Sequence, residues 1–394
     1  MLLRHGLRRA LAATAITAAT LLGAGGWAAA GTQTPVTGPP PGSSAWVADT
    51  TLGVRLPDPA GAAPAEVAAF FDGLPAAQRD ALAVRHPLVV GNLDGAPVPL
   101  RYRANELALT EELGREQARA TDPALTAQDH SAALARAERY RSLLADGRQI
   151  LAFDPRGRGQ VAEVFGDLAA ARHTAVVVPG SDTDLMTFDR AGSRYGATAG
   201  MARALYGATG GAGGGAGGGA GGGAAVVAWA GYTTPVGVGL DAATEDLAEA
   251  GAQRLGRFLT GLAASTAPAA PATVFCHSYG SVVCGLAAPG PAQASNVVVL
   301  GSPGLGVPDA AALDPRVPLW AVERNASDWI GDVPNVSLLG LGHGADPTGD
   351  GFGARPLAST GSHGHTGYFA PGTASLAGFA DLTLGRLPAD VPAR

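Results

Sequence analysis

The segment TVFCHSYGSVVCG, residues 273–285, holds the residue best suited to covalent chemistry. An apolar, β-like run enters Ser278 and a helical run leaves it at once. A serine on so tight a strand-to-helix turn has a strained backbone, and its hydroxyl is thrust clear of the sheet. The turn needs small residues two before and two after the nucleophile. Here they are Cys276 and Gly280, so the first glycine of the usual G-x-S-x-G pattern is replaced by cysteine. A capping serine in an ordinary strand-to-helix turn is the plainer alternative. The N–H of Tyr279, at the helix start, could donate to an oxyanion. A second donor should lie in the loop after an earlier strand, where VVVPGSDTD (176–184) offers the N–H of Ser181.

A serine hydroxyl attacks well only when a base takes its proton, and that base needs a third group to orient it. On this kind of turn the acid follows the serine in the chain and the histidine comes last. Asp328 sits just past the apolar run VPLWAV (317–322), with Asp332 as the nearest competitor. His343, His363 and His365 lie downstream. His343 follows a possible strand, VSLLGL, and His365 lies in a Gly-rich loop ahead of a final helical run, so the residues alone leave the base open between them. The same histidines with Asp346 and Asp350 could suggest a metal-dependent hydrolase. No H-E-x-x-H occurs, however, and the spacing matches no standard zinc set. Neither a metal nor a cofactor is expected.

The elements that must position these groups are legible as a change of rhythm. QILAF (149–153), TAVVVPG (174–180), AAVVAWAG (224–231), ATVFCHS (272–278), NVVVLGS (296–302) and VPLWAV are short and mostly continuous apolar runs. Such runs mark strands covered by helices on both faces. Helical stretches such as 242–263 and 279–288 alternate with them. The pattern predicts a doubly wound, mostly parallel sheet, the α/β-hydrolase fold, over residues 147–388. Residues 64–146 read as an N-terminal helical segment with stretches at 64–86 and about 105–145, joined by a turn-rich connector. Residues 209–223 (TGGAGGGAGGGAGGG) read as a floppy surface insertion, because glycine is costly to order and has no side chain to bury. No lysine is present, so the tract cannot be a Walker loop.

Residues 1–30 have the plan of an export signal: Arg4, Arg8 and Arg9, an apolar stretch from Ala10 to Leu22, then Ala28, Ala29 and Ala30. Residues 31–45 are Pro-, Gly- and Ser-rich, and the chain over 31–63 reads as a flexible tether. A secreted or cell-envelope protein with no stable membrane span once the signal is removed is expected, an uncleaved membrane anchor being the alternative. Of the 394 residues, 46% are hydrophobic, enough for a substantial core. The net charge of −6, with no basic run beyond the N-terminus, argues against nucleic acid as a partner. A small-molecule, lipid or other acyl substrate fits better. The only two cysteines are Cys276 and Cys284. Cys284 falls one helical turn beyond Gly280, on the face that should pack against the strand carrying Cys276. A disulfide between them is expected in an oxidising compartment.

Taken together, GNLDGAP, EVFGDL, VPGSDTDL, FCHSYGS, VVLGSPGLGV, ASDWI, GHGADP and GHTGYFAPGTASL, in order over roughly residues 64–387, resemble an actinobacterial family of α/β-hydrolases once catalogued only as a domain of unknown function. The resemblance implies a secreted or envelope-directed serine hydrolase. It implies Ser278 as nucleophile, Asp328 as acid and His365, with Tyr368 three residues on, as base in preference to His343. It supplies no substrate. Ester hydrolysis is the leading expectation. Peptidase, amidase or acyltransferase chemistry on the same residues, or a non-catalytic envelope-binding protein, are the alternatives.

Overall fold

The computed structural model describes residues 32–211, 223–266 and 270–388. The expected export signal and most of the Gly tract lie outside the described residues. An eight-stranded sheet organises the chain: β1 (Gln149–Asp154), β2 (Gln160–Phe165), β3 (His173–Val178), β4 (Ala224–Ala230), β5 (Ala272–His277), β6 (Ala294–Leu300), β7 (Leu319–Val322) and β8 (Arg355–Leu357). The spatial order is β1-β2-β4-β3-β5-β6-β7-β8. β2 is antiparallel to β1 and to β4, and every other neighbouring pair is parallel. This is the α/β-hydrolase fold. The chain moves outward from β3 to β4 and then crosses back to place β5 on the other side of β3. The carboxyl ends of β3 and β5 therefore part at a topological switch point, where open α/β sheets form their crevices.

Alternating side chains of the central strands feed two apolar layers. Val176, Val178, Val274 and Cys276 face one side, while Val177, Phe275 and Val298 face the other. Both sets are buried, which explains the continuous apolar runs. Two strands were not legible. β2 (QVAEVF) places Glu163 in the interior, where the Arg148 guanidinium donates to both carboxylate oxygens at 2.8 and 2.7 Å. β8 is only three residues long.

The N-terminal part comprises α1 (Ser43–Ala48), α2 (Pro64–Asp72), α3 (Ala76–Arg85), α4 (Pro87–Asn92), α5 (Val98–Arg119) and α6 (Ala127–Leu143). The connector expected to be turn-rich is largely helical. Pro87 and Pro99 lie in the first turns of α4 and α5, where no N–H is required of them. The single helix expected over 105–145 is two, divided near Pro123. α6 is capped by Thr126, whose hydroxyl accepts from the Asp129 N–H while the Asp129 carboxylate accepts from the Thr126 N–H.

The tether expected at 31–63 is a correction. Residues 32–63 run along the domain and are fastened to it. The Gln33 N–H donates to Asp241 Oδ2 at 2.9 Å, and the Val36 N–H donates to Thr233 Oγ1 at 3.0 Å. Trp46 of α1 is fully buried, and its indole N–H donates to the Pro57 carbonyl at 2.7 Å. It anchors a small core with Val67, Phe71, Leu82 and Val90. Composition alone could not show that one aromatic side chain would order this stretch.

Candidate active site

Among the described residues the remaining α-helices are α7 (Thr198–Ala208), α8 (Leu240–Ala243), α9 (Asp246–Ser265), α10 (Gly280–Ala287) and α11 (Ala374–Thr383). β5 ends at His277 and α10 begins at Gly280, leaving Ser278 at the apex with φ 55°. That left-handed backbone is uncommon for any residue but glycine and persists only where the surroundings enforce it. Three hydrogen bonds do so here. Ser278 N–H donates to the Leu300 carbonyl at 3.0 Å, Ser281 N–H to the Ser278 carbonyl at 2.9 Å, and Ser281 Oγ to the Cys276 carbonyl at 3.1 Å. A Cβ at Gly280 would stand 2.6 Å from the Pro179 carbonyl oxygen, and one at Gly180 would stand 2.6 Å from Ser278 Cβ. Glycine at these two positions lets the turn press against the loop after β3. Cys276 and Cys284 are disulfide-bonded, with Cα atoms 6.4 Å apart and both side chains buried. The sulfur of Cys276 thus has a place in the core despite standing where glycine is usual.

The chain brings three distant side chains into one line. His365 Nε2 lies 2.8 Å from Ser278 Oγ, and His365 Nδ1 lies 2.8 Å from Asp328 Oδ1. A carboxylate can only accept, so Nδ1 carries the proton and Nε2 is left free to accept from the serine hydroxyl. Asp328 is buried and its remaining capacity is used. Its Oδ1 also accepts from the Ile330 N–H at 3.0 Å, and its Oδ2 accepts from the Tyr368 hydroxyl at 2.6 Å. Burial alone would raise the carboxyl pKa, but the bonds from His365, Tyr368 and the Ile330 N–H outweigh it and hold the group below its ordinary value. Tyr368 is pushed the other way by burial and by its bond to Asp328, so it remains a donor. Asp332, the competing acid, is exposed at the end of a 3₁₀ turn that Asp328 itself caps.

The loop carrying His365 is fastened to the loop carrying Asp328. Asn325 Nδ2 donates to the Gly364 carbonyl at 2.9 Å, and the Gly364 N–H donates to Ser327 Oγ at 2.8 Å. His277 supports the same loop from beneath. Its Nε2–H donates to the His365 carbonyl at 2.7 Å. The Trp329 ring lies over His365 with centroids 4.5 Å apart. Sequence reasoning passed over both. His277 was hidden as the variable residue before the nucleophile, and Trp329 as one aromatic after the acid.

Ser181 and Tyr279 both flank the nucleophile. Ser181 follows Gly180, which touches Ser278, and Tyr279 caps α10. Tyr232 OH donates to the Pro179 carbonyl at 2.7 Å, and the Asp182 N–H donates to the Pro235 carbonyl at 2.8 Å. These bonds fix the loop after β3 against the segment that follows β4. The Tyr279 side chain points inward instead, donating to the Thr244 carbonyl at 2.8 Å.

The other histidines stand elsewhere. His343 Nε2–H donates to the Ala242 carbonyl at 2.8 Å, its ring packs edge-on against Tyr279, and burial lowers its pKa. The VSLLGL segment before it is a turn and not a strand. His363 is exposed. Asp346 pairs with Arg324 at 2.7 Å. No three His, Cys, Asp or Glu side chains among the described residues are placed to hold a metal ion.

Burial and the neighbouring His365 depress the pKa of His277 to about 3. Its ordinary value is about 6.5, so between those limits the unfolded chain binds a proton that the folded chain refuses. Its contribution is fully present above about pH 6.5 and is lost as pH falls towards 3, with a slope of at most about 1.4 kcal/mol per pH unit. His277→Asn should flatten this acid limb. Urea unfolding of both proteins at neutral pH and near pH 4.5 measures it, and an unchanged pH dependence would contradict the assignment.

A family model agrees on the fold. Residues 154–338 match a family model described as alpha/beta hydrolase. An uncharacterized protein of Mycobacterium tuberculosis is 29% identical over 391 residues, covering 84% of this chain and 57% of the relative. The chain thus spans a little over half the length of that relative. An uncharacterized protein of Mycobacterium bovis is 42% identical over 90 residues, covering 23% of this chain and 34% of its own. Among solved structures, a 2,6-dihydroxy-pseudo-oxynicotine hydrolase aligns over 89% of this chain and 93% of its own at 12% identity and TM-score 0.33. A truncated carbohydrate esterase from gut microbiota aligns over 57% and 90% at 11% identity and TM-score 0.32.

Proposed function

We propose that this chain is a secreted serine hydrolase that cleaves an ester or related acyl bond through an acyl-enzyme on Ser278. The observation that carries the reading is the unbroken line from Ser278 Oγ through His365 to a fully hydrogen-bonded Asp328. Ser278 Oγ attacks the carbonyl carbon as its proton passes to His365 Nε2. Asp328 holds the imidazole in the required tautomer and stabilises the imidazolium that forms. The N–H groups of Tyr279 and Ser181 receive the negative charge on the carbonyl oxygen. His365 then returns the proton to the departing alcohol, leaving an acyl-serine. Water, deprotonated by the same imidazole, releases the acid and restores the serine. The plan of residues 1–30 supports export.

Amide cleavage and acyl transfer use the same groups, so a panel separates them. Soluble p-nitrophenyl esters and aminoacyl p-nitroanilides, each with and without a chelator, are the test. Ester turnover that is indifferent to chelation is expected. Turnover confined to the anilides, or lost on chelation, would overturn the ester reading.

A further inference from the structure

The loops that leave the carboxyl ends of the strands surround Ser278, and two of them are apolar where they meet solvent. After β4, Val236, Val238 and Leu240 are exposed. After β7, so are Val336, Leu338, Leu339 and Leu341, and Leu339 is 94% exposed. The two loops are joined. The Gly342 N–H donates to the Ala243 carbonyl at 2.8 Å, and His343 Nε2 to the Ala242 carbonyl. Each is also tied to the site. The Gly237 N–H donates to Asp182 Oδ1 at 2.8 Å, beside Ser181. Asn335 Nδ2 donates to the Pro303 carbonyl at 3.1 Å, close to Gly301, whose Cα faces His365 and Asp328. Trp329, itself partly exposed, completes the rim over His365.

The apolar loop after β7 is held in shape. Leu338 and Leu341 exchange both backbone hydrogen bonds, at 2.9 and 3.0 Å, and Leu339 at the tip has φ 53°. A leucine there is costly in backbone energy and gains nothing from burial within the chain. Neither 232–240 (YTTPVGVGL) nor 333–342 (VPNVSLLGLG) contains a charged residue. Exposed apolar side chains gathered on two linked loops mark a binding face. A protein clasped there would cover the nucleophile. A layer of acyl substrate would present carbonyls to it.

We propose that this rim docks on a lipid surface and that the substrate is a long-chain acyl ester drawn from that surface. The proposal rests on the reading of Ser278 as the acyl-accepting nucleophile. It names the substrate class of that site. Because the two apolar stretches carry no basic residue, Asp241 and Asp332 flank them and the whole chain carries −6, docking should depend on apolar insertion and not on anionic headgroups.

The test uses the full chain with phosphatidylcholine vesicles, and two substrates, soluble p-nitrophenyl acetate and an emulsified long-chain triacylglycerol. The wild type should co-sediment with the vesicles, with little change on raising salt. The variant Leu338→Ser/Leu339→Ser/Leu341→Ser alters only exposed side chains. It should lose vesicle binding and triacylglycerol turnover by about tenfold or more while keeping acetate turnover. Acetate turnover in a wild type that does not bind vesicles would overturn docking and leave the hydrolase reading intact. Vesicle binding without turnover of any ester would do the reverse. Unchanged binding by the variant, or a solution dimer that the same substitutions dissolve, would also overturn the proposal.

Discussion

Ser278→Ala is expected to lower ester turnover by roughly a millionfold, to a level set by binding and the proposed oxyanion donors alone. The size follows from the geometry. No other group stands where Ser278 Oγ does, on a turn at φ 55° with a histidine nitrogen 2.8 Å away. Loss of the hydroxyl removes the oxygen that His365 Nε2 meets among the described residues. The fold should survive, because the bonds that hold the turn use the backbone of Ser278 and not its side chain. Unchanged far-ultraviolet dichroism and melting temperature would establish that the loss is chemical. Substantial turnover by a folded Ser278→Ala protein would contradict the mechanism.

His365→Ala should cost nearly as much, since nucleophile and base act as a unit and removal of either disables both. His343→Ala should leave kcat close to the wild-type value and lower stability instead. His343 is buried and its ring nitrogen bonds the Ala242 carbonyl, so truncation opens a gap and strands that acceptor. The two variants separate in the same pair of assays, turnover of p-nitrophenyl acetate and the urea midpoint. A folded His343→Ala protein with the larger loss of kcat would assign the base to His343. Asp328→Asn should fall between the two, at roughly ten-thousandfold, because it leaves the ring in place but favours the wrong tautomer.

How far these groups were legible depends on whether local sequence carries their geometry. The position of Ser278 was legible because a strand, a serine, a glycine and a helix must be neighbours in the chain to make the turn. The central strands were legible because burial on both faces writes itself as a continuous apolar run. β2 was not, since Gln160 and Glu163 interrupt its apolar pattern. Glu163 is tolerated inside only through Arg148, a partner fifteen residues away. The choice between His343 and His365 was closed to the residues alone for a similar reason. His365 reaches Ser278 across 87 residues and Asp328 across 37, and loops of that length leave no periodicity to read. Only the resemblance of the GHTGYF segment to a known family favoured His365. The packing of residues 32–63 was misread because Pro, Gly and Ser dominate its first part, 31–45, while a buried tryptophan just beyond anchors it.

The disulfide was legible from helical spacing. Cys284 lies one turn along α10 from Gly280, and α10 lies against β5. Its place beneath the turn ties the strand before Ser278 to the helix after it.

Labelling with a fluorophosphonate, followed by intact-mass analysis and peptide mapping, tests the central claim most directly. The reagent reacts with a serine only where a base activates it and donors stabilise the phosphoryl oxygen. The account predicts one adduct per folded chain, located on the peptide that contains Ser278 and absent from both Ser278→Ala and His365→Ala. No adduct on a folded wild-type chain, or an adduct on another residue that persists in Ser278→Ala, would contradict it.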